Sequence, residues 1–238
     1  MTDLLYLEDA YTGSFKATVV DCQDGAVFLD RSAFYPGGGG QPSDTGTLSS
    51  GDTTWTVSKV KRIQGAVGHF VEGESPDVGT AVNGVIDWER RYQLMRTHTA
   101  MHILCGVIWR DYQASVTGGD MQPLKGRMDF EFETMRRDLV DEIEHAVNLE
   151  VAAARDVYIQ TLPRDDAFQI PDLIRTKINL LPEGIQRVRT VEISGLDLQA
   201  DGGTHVANTK EVGHINITDY KSKGKINKRI YVALEALT

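Results

Sequence analysis

Two histidines, His98 and His102, stand four residues apart in RTHTAMHIL. On a helix that spacing sets both imidazoles on one face, within reach of a single metal ion. Read alone, the pair is either a ligand pair or two partly buried histidines with ordinary hydrogen bonds. A helical metalloprotease needs Glu directly after the first histidine as its general base. Thr99 holds that position, so protease chemistry is excluded. Cys105 lies seven positions beyond His98, about 10.5 Å along a helix axis, whereas zinc ligands sit roughly 2.0–2.3 Å from the ion. Cys105 therefore reads as a small buried apolar residue. The remaining candidates lie in QADGGTHVANTKEVG (residues 199–213), where Asp201 and His205 are again four apart, around Gly202-Gly203-Thr204. Glycines permit a tight turn that folds both side chains toward one point. The alternative is an Asp-Gly turn with a bystander histidine.

Two further groups invite a chemical reading. FYPGGGGQ (residues 34–41) contains Gly37, Gly38, Gly39, Gly40 and Gln41. It is either a flexible hairpin loop or a stretch whose unobstructed backbone amides approach a small polar substrate, with Gln41 able to donate and accept hydrogen bonds. Basic residues collect near the end: Lys210, Lys221, Lys223, Lys225, Lys228 and Arg229 face only Glu211 and Asp219, a local excess of four positive charges. Lys59, Lys61, Arg62, Arg90 and Arg91 form a second basic group. Such a hairpin is either a solvated edge that discourages aggregation or a phosphate contact. The acidic stretch from Glu133 to Asp156 is expected to face away from any polyanionic partner.

The elements that position these residues fall into two parts. A chain of 238 residues holds one large domain or two ordinary ones. Its net charge of −9 excludes a bulk basic surface, though not a local one. No apolar run approaches the roughly 18 residues of a membrane span, and the acidic start is unlike a secretory leader. Two cysteines cannot build a disulfide framework. A cytoplasmic location is expected. Residues 1–88 carry short alternating runs separated by turn signals, which predict a small all-β barrel or sandwich. From Trp88 the pattern changes. A long helix is expected over 89–113 and a second over about 136–155. A strand over 157–163 and a short helix over 165–174, interrupted at Pro171, follow. Further strands are RVRTVEI, EVGHINITDYKS and KINKRIYVALEAL, the last two a hairpin turning at Lys223-Gly224. Helices followed by strands indicate an α+β fold, here a barrel domain over 1–88 and, over 89–238, an α/β domain with an antiparallel sheet and a long helix.

RTHTAMHIL followed by DGGTHVANTKEVG resembles the editing domain of alanyl-tRNA synthetase and its free-standing relatives, the AlaX proteins; threonyl-tRNA synthetases carry a similar domain. FYPGGGGQPSDTGTL (residues 34–48) resembles the family's glycine-rich motif, and KGKINKRIYVALE its basic closing hairpin. The resemblance covers nearly the whole chain, and 238 residues leave no room for an aminoacylation core or its ATP site. It implies a zinc ion held by His98, His102, Asp201 and His205. One departure stands out. The family's second metal motif is usually Cys-x-x-x-His, and Asp201 occupies the cysteine position. A carboxylate binds zinc at about 2.0–2.2 Å, but oxygen for sulfur makes the site harder and less zinc-selective. Asp201 thus ligates the ion directly, holds it through a water, or does not bind it.

The resemblance implies hydrolysis of the ester between a wrong amino acid, chiefly serine or glycine, and the 3′ end of alanine tRNA. A bound zinc ion suits that reaction, since it activates water near neutral pH and stabilises charge on the ester carbonyl. No carboxylate stands out as general base. Gly37 to Gln41 are then expected to read the amino acid, although Gly37 lacks the Ser or Thr side chain sometimes found after this proline. Lys221, Lys223, Lys225, Lys228 and Arg229 are expected to meet tRNA phosphates. The rival readings are a tRNA-binding module of the same fold without chemistry and a metal-dependent hydrolase of small esters. Oligomeric state is not legible.

Overall fold

The computed structural model describes residues 2–176 and 184–236. The chain divides into two compact units, one up to Gln93 and one from Leu94 onward. The first carries eight strands: β1 (Asp3–Leu4), β2 (Ser14–Gln23), β3 (Ala26–Leu29), β4 (Arg31–Ser32), β5 (Gly46–Ser50), β6 (Thr53–Ile63), β7 (Ala66–Val71) and β8 (Ala81–Ile86). Six of them close into a barrel in the order β2-β3-β7-β6-β5-β8. Alternation in β8, where Val82, Gly84 and Ile86 point inward, is the pattern that a half-buried strand requires. Val19, Leu29, Phe34, Leu48 and Val60 fill the interior. Closure removes the unpaired edges that an open sheet would expose.

Helix α1 (Trp88–Tyr112) follows. Every residue from Leu94 to Ile108 is buried, so the helix has no solvent face over that length. A helix covered all round belongs inside a core, and its polar side chains must find partners there. In the second unit, β9 (Val116–Gln122), β10 (Lys125–Glu131), α2 (Arg137–Ala152), β11 (Val157–Pro163), α3 (Arg164–Ala167), β12 (Arg187–Ile193), β13 (Asp197–Ala200), β14 (Ile215–Ser222) and β15 (Asn227–Leu234) come in turn. They form a four-stranded sheet, β14-β15-β10-β9, and a three-stranded one, β11-β12-β13, antiparallel throughout. The expected α+β organisation, barrel first, is what the chain adopts.

Three local expectations need correction. β9 and β10 lie in a stretch to which the sequence pattern assigns no element, because Gly118-Gly119 and scarce β-branched residues give no strand signal. The short helix α3 ends at Ala167, well before Pro171, which cannot donate a helical hydrogen bond and biases its predecessor to extended backbone. The strand expected from Glu211 begins at Ile215. Asn208 and Glu211 instead form a reciprocal capping box around a single 3₁₀ turn, Thr209–Val212. The hairpin at Lys223-Gly224 forms as expected, Lys223 N–H donating to the carbonyl of Asn227 at 2.8 Å.

Candidate metal centre

His98 and His102 project from consecutive turns of α1, and the segment after β13 brings Asp201 and His205 to them. One ligand atom from each of the four lies within 4.8 Å of every other. Four ligands set tetrahedrally about 2.1 Å from one ion stand about 3.4 Å apart, so the widest pair of the group would have to close by up to about 1.4 Å, a side-chain rather than a backbone adjustment. His205 Nε2 is already 3.1 Å from Asp201 Oδ2, and His98 Nε2 is 3.5 Å from Oδ1. His98 and His205 stack with ring centroids 4.2 Å apart, while His102 meets both edge-on. Three imidazoles and a carboxylate, all nearly excluded from water, form a donor set that zinc accepts.

The Asp-Gly turn is built by the carboxylate itself. Gly203 N–H donates to Asp201 Oδ2 at 2.6 Å, an Asx-type turn that sends His205 back toward its neighbour four positions earlier. The backbone of Asp201 is clamped as well. Its N–H donates to the carbonyl of Arg189, and its own carbonyl accepts from Arg189 Nη1 at 2.9 Å. Thr99, next to His98, faces His205: its hydroxyl lies 3.2 Å from Nδ1 and accepts from Val206 N–H. A hydroxyl both donates and accepts, so Thr99 leaves the other ring nitrogen of His205 facing Asp201 in either tautomer.

Electrostatics favour lone pairs over protons at two of the three histidines. Burial drives His98 well below the usual imidazole range, against the pull of Asp201. Burial likewise brings His205 down to about 4. At His102 burial acts in the same direction, but the hydrogen bond and charge of Asp197 outweigh it and lift the pKa above 6.5. Asp201 is raised by burial and lowered more strongly by His98 and by its bond from His205, which keeps it ionised. Cys105 is buried, and burial pushes its thiol far up, so it is an inert core residue.

The sequence pattern singles out all four members of this group. It does not single out Thr99 or Asp197. Asp197 has the type of a turn acid, and its only cue is Gln199 two residues on, the spacing that shares a strand face.

The glycine-rich stretch sits in the barrel unit. Gly37, Gly38, Gly39 and Gly40 all have positive φ, a run that only glycine sustains. The turn closes on itself through Gly38 N–H to Gln41 O and Gln41 N–H to Gly38 O, and Tyr35 Oη donates to Gly38 O. Gln41 is buried. The amides of Gly39 and Gly40 donate to no described residue, and a Cβ at Gly39 would meet nothing within 4 Å.

The basic residues divide into two kinds. Lys223 and Lys225 are exposed at the hairpin tip, without an ion-pair partner among the described residues, and Lys221 is exposed beside Asp219. Lys228 is buried and donates from Nζ to the carbonyls of Gly224 and Lys225, closing the turn. Arg229 is bound bidentately to Asp129 at 2.6 and 2.8 Å. In the second basic group, Arg91 cannot meet a phosphate. It is fully buried, paired with Asp44 and donating to the carbonyls of Ala10 and Ala33. Arg90 donates to the carbonyl of Ser43. Among the described residues no helix is long and apolar enough to cross a membrane.

Comparison with known proteins places relatives on both units. Residues 6–90 match the tRNA synthetases class II (A) family, and residues 188–231 match the threonyl and alanyl tRNA synthetase second additional domain. The alanyl-tRNA editing protein AlaX-M of Saccharolobus solfataricus is 40% identical over 99% of this chain and 100% of its own length. AlaX-M of Methanosarcina barkeri is 38% identical over 98% of this chain and 99% of its own. The alanine–tRNA ligase of Ignicoccus hospitalis is 37% identical over 91% of this chain, a match that spans 24% of that enzyme.

Proposed function

The chain belongs to the AlaX family of free-standing alanyl-tRNA editing proteins, and from that premise we propose that it deacylates alanine tRNA mischarged with serine or glycine, using a zinc ion. The observation that carries this reading is the buried group of His98, His102, Asp201 and His205. A zinc ion held there would polarise an ester carbonyl and bring water into its reactive form near neutral pH. The residues of the chain supply the rest. Burial keeps His98 and His205 in the neutral form, the one from which a metal can take a ring lone pair. Asp201, fixed by Arg189 and by Gly203, contributes an anionic oxygen where the family usually has sulfur. Exclusion of water around the group strengthens every electrostatic contact in it.

We assign selection of the amino acid to Gly37, Gly38, Gly39, Gly40 and Gln41, because the amides of Gly39 and Gly40 have no intramolecular acceptor among the described residues. We assign phosphate contact to Lys221, Lys223 and Lys225. Lys228 and Arg229 serve that contact by holding the hairpin that carries them. The proposed place of action is the cytoplasm.

The test is deacylation of serine-charged and alanine-charged alanine tRNA by the purified protein, before and after chelation and after zinc is returned. Turnover of the serine ester that vanishes with the metal and returns with zinc is expected. Turnover that survives full metal removal would end the zinc assignment. Tight tRNA binding without turnover would make the chain an RNA-binding module, and turnover confined to free amino-acid esters would make it a small-ester hydrolase.

A further inference from the structure

Behind the metal group lies a carboxylate that the reaction as described does not use. Asp197 opens β13, and its side chain is fully buried. In the register of β12 with β13, Ile193 faces Asp197 and Val191 faces Gln199, so Asp197 and Gln199 share one face of the strand. That face meets α1 at close range. A Cβ at Gly106 would lie 2.9 Å from Leu196 Cγ and 3.0 Å from Asp197 Cβ, a separation that only glycine allows. Gly106 is one turn beyond His102, and the close approach delivers Asp197 Oδ2 to 3.1 Å from His102 Nδ1. Gln199 Nε2 donates to the same oxygen at 2.6 Å. The other oxygen, Oδ1, has no hydrogen-bond partner among the described residues but faces Arg175 Nε at 3.6 Å. Arg175 in turn lies over the ring of Trp109, 4.8 Å from its centroid.

We infer that Asp197 is a positioning residue, which fixes His102 in the tautomer that carries its proton on Nδ1 and turns Nε2 toward His98, Asp201 and His205. A carboxylate can only accept, so Nδ1 donates to it at 3.1 Å, and the amide of Gln199, 3.5 Å from the same nitrogen, is taken instead by the carboxylate oxygen at 2.6 Å. Arg175 balances the buried negative charge, and Gln199 fixes the orientation of the carboxylate. The free imidazole favours neither arrangement strongly enough to hold one ring orientation unaided; a carboxylate behind the ring sets both tautomer and direction and raises ligand basicity. This inference rests on the proposed metal site only for its consequence, since the tautomer of His102 exists with or without an ion.

Two measurements on the full chain test it. In Asp197→Asn the shape is retained and the charge removed, so zinc affinity, measured by competition with a chelator, should fall by roughly 10–100-fold. Nitrogen-15 NMR of the metal-free protein at alkaline pH should show His102 as the Nδ1–H form in wild type and a mixture in the variant. Thermal melting and circular dichroism confirm that the variant is folded; should Asp197→Asn fail to fold, Gln199→Leu, which removes the second bond to the same oxygen, should move the NMR signature in the same direction. An unchanged affinity together with an unchanged tautomer would overturn the role of Asp197. A wild type that binds no zinc but shows the Nδ1–H form would remove the metal reading and leave the positioning of His102 standing.

Discussion

His98 and His205 stack with ring centroids 4.2 Å apart and 29° between their planes. Two imidazoles in such contact inside a core repel each other once both are charged, and burial holds both below their usual protonation range. What the arrangement suits is a ligand that takes lone pairs. His98→Ala should therefore lose most bound zinc and, with it, serine deacylation by at least about a hundredfold, a loss on the scale of removing one transition-state stabiliser. Atomic absorption on the purified variant and the deacylation rate check this together. Unchanged metal and unchanged rate would remove His98 from the site. Asp201→Cys makes the complementary test. Thiolate is the softer ligand, so zinc should be retained and favoured more strongly over manganese than in wild type. Loss of zinc from that variant would show that position 201 does not meet the ion.

The barrel carries its own pH dependence at His69, far in sequence from the metal group. The ring is fully buried, with Nδ1 2.9 Å from the carbonyl of Val27 and Nε2 2.8 Å from the hydroxyl of Ser32. A carbonyl only accepts, so Nδ1 donates and Nε2 accepts from Ser32. Burial brings the pKa down to about 4 from 6.5. The unfolded chain thus binds a proton between those values that the folded chain does not. Stability is fully present above about 6.5 and falls as the pH drops to about 4, by about 3 kcal/mol in all. Urea unfolding at about pH 7 and pH 4.5 should show the loss in wild type and a smaller one in His69→Gln. Equal pH dependence in the two proteins would assign the acid sensitivity to other groups.

Much of this architecture is legible in the residues, and what is not has identifiable causes. Period-two runs such as TAVNGVIDW mark the barrel strands because one face of each must be apolar. The spacings of His98 with His102 and of Asp201 with His205 survive as geometry because a helical turn and an Asx turn both return the chain after four residues. Partners distant in sequence leave no such trace. Arg91 has the type of a surface base beside Arg90, yet it meets Asp44, 47 residues earlier, inside the barrel unit. Asp197 and His102 are 95 residues apart. Arg229 stands in a basic hairpin, and only the pairing of β10 with β15 shows that Asp129 lies beside it. Charge on a sequence tells of potential contacts, and only the sheet register tells which are already made.

That distinction sharpens the RNA prediction. Lys223 and Lys225 are exposed at the hairpin tip, while the ammonium of Lys228 is engaged by two carbonyls. Lys223→Ala with Lys225→Ala should weaken tRNA binding and reduce the slope of log affinity against log salt by about 1.5, near 0.7–0.9 per lost phosphate contact. Filter binding across a salt series gives the slope. If the double variant keeps the wild-type slope, the tip is a solvated edge and the phosphate contact lies elsewhere.

The glycine run supplies the test of selectivity. Serine and alanine differ by one hydroxyl, and an apolar pocket separates such pairs by only about a hundredfold. An editing enzyme that spares correctly charged tRNA therefore needs a hydrogen bond to that hydroxyl. Gly39 has φ of +57° and open space where a Cβ would stand. Gly39→Ala consequently adds backbone strain of roughly 1–2 kcal/mol without a steric clash, and shifts the direction in which the amides of Gly39 and Gly40 point. Because the turn is closed independently by Gly38 and Gln41, the barrel should still fold. Loss of one well-formed hydrogen bond, about 1 kcal/mol, lowers the rate on serine-charged tRNA by about fivefold, while zinc content and tRNA affinity stay near wild type. The quantity to measure is the ratio of deacylation rates on serine- and alanine-charged alanine tRNA, which should fall with the serine rate. A variant with both the ratio and the serine rate intact would reduce the run to a loop that only connects β4 to β5, and the discriminating donor would then have to be sought among other side chains.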